Sequence, residues 1–227
     1  MKTIACVPAL ATALVLLGAC ASEALAAGAT NINNCGVITS PGSYVVTRNL
    51  KVSGVCLDVR ADYVTIDFDG FAITGDGTGA GVSVQGSGLV VRNGTIAGFG
   101  VGISVGVPPG DVVGSVVERM RVIDSANFGI GGGSMVVRDS VLTGNGNTAI
   151  ALGEASVITG NRVVGNRFGI SALEGSTVSG NVVASNTQGG LYVRCPSVVL
   201  GNAATSNSVF NMYLSSRDCT VEHNVAP

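Results

Sequence analysis

A small residue followed by an apolar one recurs along most of this chain of 227 residues. The pairs are Gly81-Val82, Gly102-Ile103, Gly129-Ile130, Ala149-Ile150, Gly169-Ile170, Gly190-Leu191 and Asn211-Met212, at steps of 21, 27, 20, 20, 21 and 21 residues. A fixed period of this size signals stacked units, each of which buries its apolar side only against its neighbours. Within residues 148–167, Ile150 and Leu152 alternate with Ala151, and Val157-Ile158 and Val163-Val164 form two further short runs, with Gly and Asn at the breaks. Short β-branched runs bounded by turn residues read as strands. The expectation is an all-β solenoid with three short strands per coil and about eight or nine coils. At ~4.8 Å per coil that is a rod roughly 40 Å long.

The period sorts the side chains into columns. Val82, Ile103, Ile130, Ile150, Ile170, Leu191 and Met212 make one interior stack. Val84, Val105, Leu152, Ala172, Val193 and Leu214 make a second, interrupted by Gly132, and Leu57 and Val59 start both. Two polar columns accompany them: Asn93, Asp139, Asn161, Asn181, Asn202 and Asn224, and Asp124, Asn145, Asn166, Asn186 and Asn207. Asn and Asp suit sharp bends because they tolerate left-handed backbone. Stacked Asn side chains also bond to one another as a ladder. These columns are therefore expected to be structural, not a ligand site.

A net charge of -2 and the lack of any basic run give no field that attracts nucleic acid. Met1-Lys2 followed by an apolar stretch to Gly18 reads as an export signal. Ala24-Leu25-Ala26 fits a cleavage site, giving a signal peptide of residues 1–26; Leu17-Gly18-Ala19-Cys20 alternatively fits a lipoprotein box, with signal 1–19 and Cys20 lipidated. No later stretch is long and apolar enough to span a membrane. Export to an oxidising compartment favours disulfides. Cys56 follows Cys35 by 21 residues and Cys219 follows Cys195 by 24. Each gap is about one coil, so the expected pairs are Cys35–Cys56 and Cys195–Cys219, against the alternative of four free thiols.

The repeated steps Phe168-Gly169-Ile170 and Gly180-Asn181-Val182-Val183 resemble the right-handed parallel β-helix repeats of the pectate-lyase-like superfamily. The run Tyr63-Val64-Thr65-Ile66-Asp67-Phe68-Asp69-Gly70, followed a coil later by Val91-Arg92-Asn93-Gly94-Thr95-Ile96, looks like the opening of secreted β-helix proteins related to periplasmic copper-maturation factors and carbohydrate-active enzymes. The resemblance covers about residues 44–224. It implies a right-handed, single-stranded parallel β-helix over 56–227, closed by a C-terminal cap and preceded by an N-terminal cap at 27–55. The 27-residue step holds Val107-Pro108-Pro109-Gly110-Asp111, read as a loop bulging from one corner.

For chemistry, Asp67 and Asp69 are the enzyme-like pair. Alternate strand residues share a face, and two carboxylates can flank a sugar linkage; Arg92 is a neighbouring cation. Alternatively, Asp69-Gly70 is a turn. Calcium is the one cofactor these residues suggest, through Asp67, Asp69 and Asp76. Arg92, Arg119 and Arg138 occupy three successive coils, with Arg121 near them, and read as a basic stripe for an acidic polysaccharide, or as charges offset by Asp67, Glu118 and Asp139. Ser83, Ser104, Gly131, Ala151 and Ser171, then Tyr192 and Tyr213, form an outward strip ending in a candidate sugar-stacking platform. His223 stands alone, and Met120, Met135 and Met212 are too scattered to suggest copper binding. No nucleophile–base–carboxylate set is recognisable. The leading expectation is an exported, non-catalytic protein that binds acidic polysaccharide or another cell-envelope component. It would be secreted or periplasmic, or an outer-membrane lipoprotein. The alternatives are a polysaccharide lyase or glycoside hydrolase, and a structural or adhesive rod.

Overall fold

A computed structural model describes residues 28–106 and 113–227. The signal segment, Cys20 and the Val107–Asp111 loop lie outside the described residues. Twenty-five strands and no helix make up the described chain. Every pairing between strands is parallel, and partners are separated by about one repeat. The chain therefore winds as a parallel β-helix of nine coils.

A typical coil contributes one strand to each of three faces. In the coil around Ile150 these are Thr148–Leu152 on the first face, Val157–Thr159 on the second and Arg162–Val164 on the third. The first face is a separate nine-stranded sheet. The second and third are joined where Val90–Ala97 and Ser115–Ile123 run continuously round the corner between them.

The interior columns stack as the repeat demands. Leu57 pairs with Val82, Val82 with Ile103, and the register continues through Ile130, Ile150, Ile170 and Leu191 to Met212. Ile130, Ile150 and Leu191 are fully buried. Met120 and Met135 are core residues too. The segment expected as a cap is built as strand on all three faces: Gly36–Ile38, Gly42–Val46 and Leu50–Lys51 pair with the coil that follows. Thr30–Ile32 adds a further strand on Gly42–Val46 and closes that end. Both expected disulfides are present, with Cα–Cα distances of 4.5 Å for Cys35–Cys56 and 5.0 Å for Cys195–Cys219.

The Asn columns need a correction of one residue at their N-terminal ends. Asn161, Asn181, Asn202 and Asn224 do form a buried ladder: each side-chain oxygen accepts from the backbone N–H of the ladder residue one coil before it, at 2.8–3.0 Å. The residue above Asn161 is Ser140, not Asp139, and above Ser140 stands Met120. The second ladder runs Asn145, Asn166, Asn186 and Asn207, and begins at Ser125, not Asp124. Asn93, Asp124 and Asp139 are instead the left-handed corner residues, with φ of 62°, 54° and 52°. Gly160 and Gly180 turn the corner of Asn93 and Asp139 later in the chain, with φ of 66° and 63°, and Gly144 and Gly165 turn that of Asp124, with φ of 71° and 70°. Asn and Asp suit both jobs, so adjacent columns merge when read from sequence alone. The Gly-Asn step separates them: the glycine turns the corner and the asparagine points inward. At the remaining corner a third ladder, Ser156, Ser176 and Ser197, does the same work with hydroxyls. Its signal was the recurrence of Ser at steps of 20 and 21 residues.

Candidate functional site

On the second face, Asp67, Arg92, Glu118 and Arg138 are successive register partners. Four charges of alternating sign thus stand one above another at the ~4.8 Å strand spacing. Arg92 Nε donates to Asp67 at 2.8 Å. Glu118 is 4% exposed and is held between Arg119 and Arg138, one on each carboxylate oxygen. Arg119 sits at the left-handed corner and also donates to Asn93 Oδ1 at 2.8 Å. The three arginines do come together, but Asp67 and Glu118 offset their charge. Arg121 lies round the corner on the third face, opposite Thr95 and Val141.

Asp67 accepts from the Asp69 N–H at 2.9 Å, from Asn93 Nδ2 at 3.0 and 3.1 Å, and from Arg92. Burial pushes its carboxyl up. The Asp69 amide, Asn93 and Arg92 together outweigh that and hold it below its ordinary value of 3.8. A carboxyl held ionised in this way has no proton to donate to a leaving group at neutral pH. Asp69 is exposed at the turn, with φ of 45°. Asp76 belongs to the next corner, where the Thr78 and Ser53 hydroxyls and the Thr78 amide hold its carboxyl at about 2. Among the described residues, no three His, Cys, Asp or Glu side chains are grouped so as to hold a metal ion. His223 is exposed at the last corner, 3.9 Å from Glu222.

These shifts set an acid limit on stability. Both carboxyls titrate lower folded than unfolded, so the unfolded chain binds more protons and stability rises with pH. Their contribution is complete above the ordinary carboxylate range and is lost as pH falls below about 4. The urea midpoint should be flat from pH 8 to 5 and drop below 4. Asp67→Asn should make that drop shallower, and an unchanged slope would contradict the assignment.

On the first face, the outward column runs Asp58, Ser83, Ser104, Gly131, Ala151, Ser171, Tyr192, Tyr213. Val37 precedes Asp58 in this register, and Asp58 is paired with Arg60 at 2.7 Å. The small residues leave a flat strip, and the aromatics end it. Tyr192 and Tyr213 stack with centroids 5.4 Å apart and planes 3° from parallel. The neighbouring column of the same strands adds Thr148, Phe168, Gly189 and Phe210. Here the structure opens a groove of about 280 Å³. The aromatic rings of Phe168, Tyr192 and Phe210 line it, together with Ile170, Gly189, Gly190, Asn147, Thr148 and Ser171. Gly189 is required by close approach: the Phe210 ring lies so near that a Cβ on Gly189 would come within 2.1 Å of it. Arg167 stands beside the groove, its guanidinium 5.5 Å from the centroid of the Phe168 ring.

The expected ligand residues therefore fall into two separate groups. Arg92, Arg119 and Arg138 are on the second face in the earlier coils. Tyr192 and Tyr213 are on the first face in the last two. Phe168 and Phe210, which complete the platform, are not among the ligand residues expected from the sequence. Their signal was Phe128, Phe168 and Phe210 recurring at steps of 40 and 42 residues, two coils each.

No protein-family description matches the chain, and no curated protein does. Among solved structures, the A-module of the mannuronan C-5 epimerase AlgE6 from Azotobacter vinelandii is similar, with a TM-score of 0.67 and 22% identity over 88% of this chain. The chain spans 62% of that module. The Dettilon tailspike protein gp208 also matches, with a TM-score of 0.41 and 12% identity over 86% of this chain and 57% of the tailspike chain. The first of these likenesses establishes the shared parallel β-helix fold. Among the described residues, no helix is long and apolar enough to cross a membrane.

Proposed function

We propose that this protein is an exported, non-catalytic polysaccharide-binding β-helix that engages its ligand on the first face. The groove between Phe168, Tyr192 and Phe210 carries the reading. It combines apolar ring faces with a few neutral polar groups, the composition of a site that holds a small ring and fixes its orientation. A sugar ring has an apolar face for the aromatics and hydroxyls for Asn147, Thr148 and Ser171. The strip of small side chains leading to the groove leaves room for the rest of an extended polymer. The similar AlgE6 module is named for action on mannuronan, which supports a polysaccharide as the ligand class. Two disulfides support an oxidising, extracytoplasmic location.

Affinity electrophoresis in gels containing defined polysaccharides tests this. Retardation should be seen with at least one polymer, and Tyr192→Ala should weaken it by about tenfold, as truncating a central aromatic anchor does. Retardation by none, or retardation indifferent to Tyr192→Ala, would contradict the proposal. A lyase or hydrolase of the pectate-lyase-like superfamily, working through Asp67 and Arg92, is tested by product release from uronic-acid polymers with and without calcium. The saturated hydrogen bonding of Asp67 weighs against it.

A further inference from the structure

We infer that the aromatic groove takes a carboxylated sugar, a uronate unit of a polysaccharide, and that Arg167 is the residue that reads its carboxylate. This rests on the groove being the polysaccharide site. It differs from the stripe expectation in where the acid is recognised.

Charge accounting along the rod leads to this assignment. Arg60, Arg92, Arg119, Arg138 and Arg194 each have a carboxylate partner within ion-pair distance. Arg48, Arg121, Arg162, Arg167 and Arg217 have none among the described residues; of these Arg167 is exposed and stands against Phe168, a residue that lines the groove. Arg194, which directly follows the first-face strand Gly189–Val193, is taken by Glu174 at 3.0 Å. No acidic side chain lines the groove. A carboxylate brought there meets one unneutralised cation and no anion.

The position of Arg167 suits the task. Its guanidinium lies near the Phe168 ring, an arrangement that steadies a cation. The N–H fork remains available to pair with a carboxylate through two parallel hydrogen bonds. Phe168 is itself a wall of the groove. A ring packed there brings a substituent on its edge toward Arg167. Asn147 on the preceding coil and Gln188 on the following one lie along the same corner, since the Gln188 N–H donates to the Arg167 carbonyl and the Phe168 N–H to that of Asn147. They offer neutral donors and acceptors for neighbouring hydroxyls. Arg92, Arg119 and Arg138, sharing Asp67 and Glu118, would have to give up existing ion pairs to do the same work.

Calorimetric titration of the exported, disulfide-bonded protein with oligomannuronate, and with the neutral manno-oligosaccharide of equal length, tests the inference. The native protein should prefer the uronate. Arg167→Gln should lower uronate affinity about tenfold and leave neutral-sugar affinity unchanged, as expected for one charge-assisted contact. The triple variant Arg92→Gln, Arg119→Gln, Arg138→Gln should keep the preference. Equal affinity of the native protein for both oligomers, or a preference that survives Arg167→Gln and disappears in the triple variant, would overturn the inference and leave the groove reading standing. Binding of neither oligomer by the native protein, with no other polysaccharide retarding it in gels, would overturn both.

Discussion

Asn181→Ala should destabilise the protein by about 3–5 kcal/mol, because it strips partners from several buried groups at roughly 1–3 kcal/mol each. Asn181 is fully buried. Its Oδ1 accepts from both the N–H and the Nδ2 of Asn161, each at 3.0 Å. Its Nδ2 donates to the Ile158 carbonyl and to Asn202 Oδ1, each at 2.9 Å. Alanine replaces none of these and leaves a void where water has no access. The neighbouring coils cannot close over the gap, since their strands are pinned in register on all three faces. Asn224→Ala is the control. Asn224 caps the same ladder at the exposed end, where water can replace the lost partners, and should cost about 1 kcal/mol. Urea unfolding monitored by circular dichroism measures both. Equal losses would mean that the ladder does not act as a buried network.

The second large effect is expected from the C-terminal disulfide. Cys195 and Cys219 are 24 residues apart, so the bridge closes about one coil. Removing a cross-link over a loop of that size costs about 3 kcal/mol in the chain-entropy account. In a solenoid that cost falls on the terminal unit, which has a neighbour on one side only. The interior residues of the last coil, Met212 and Leu214, are already partly exposed, whereas Leu191 and Val193 one coil earlier are fully buried. In the double variant Cys195→Ser, Cys219→Ser, amide exchange should speed up most over Phe210–Leu214 and little around Ile150. Phe210 is a wall of the groove, so the same variant should also weaken polysaccharide binding. Uniform acceleration along the chain would show that the rod unfolds as one unit and not from its end.

The interior was legible in the sequence because two periods coincide there. Ile150, Ile170 and Leu191 repeat once per coil, and Leu152, Ala172 and Val193 follow each by the two-residue strand alternation. The disulfides were legible for the same reason, since one coil separates vertical neighbours. The corners were only partly legible. Asp139 and Asn161 belong to a single chemical class but to adjacent positions, one turning the backbone and one facing inward. Only the Gly-Asn pairs mark which is which. The charges were harder still. Arg92 and Arg138 looked like a stripe, yet Glu118 lies between them because coil length, and not local sequence, sets which residue is placed there. The groove was the least legible part. Its walls come from three coils, and Phe168 and Phe210 stand outside the column that drew attention to Tyr192 and Tyr213.

The most direct test of the account is a crystal structure of the protein with an oligouronate bound. A sugar ring should lie against Phe168, Tyr192 and Phe210, with its carboxylate on Arg167. A sugar seated instead along Asp67, Arg92, Glu118 and Arg138 on the second face would contradict it.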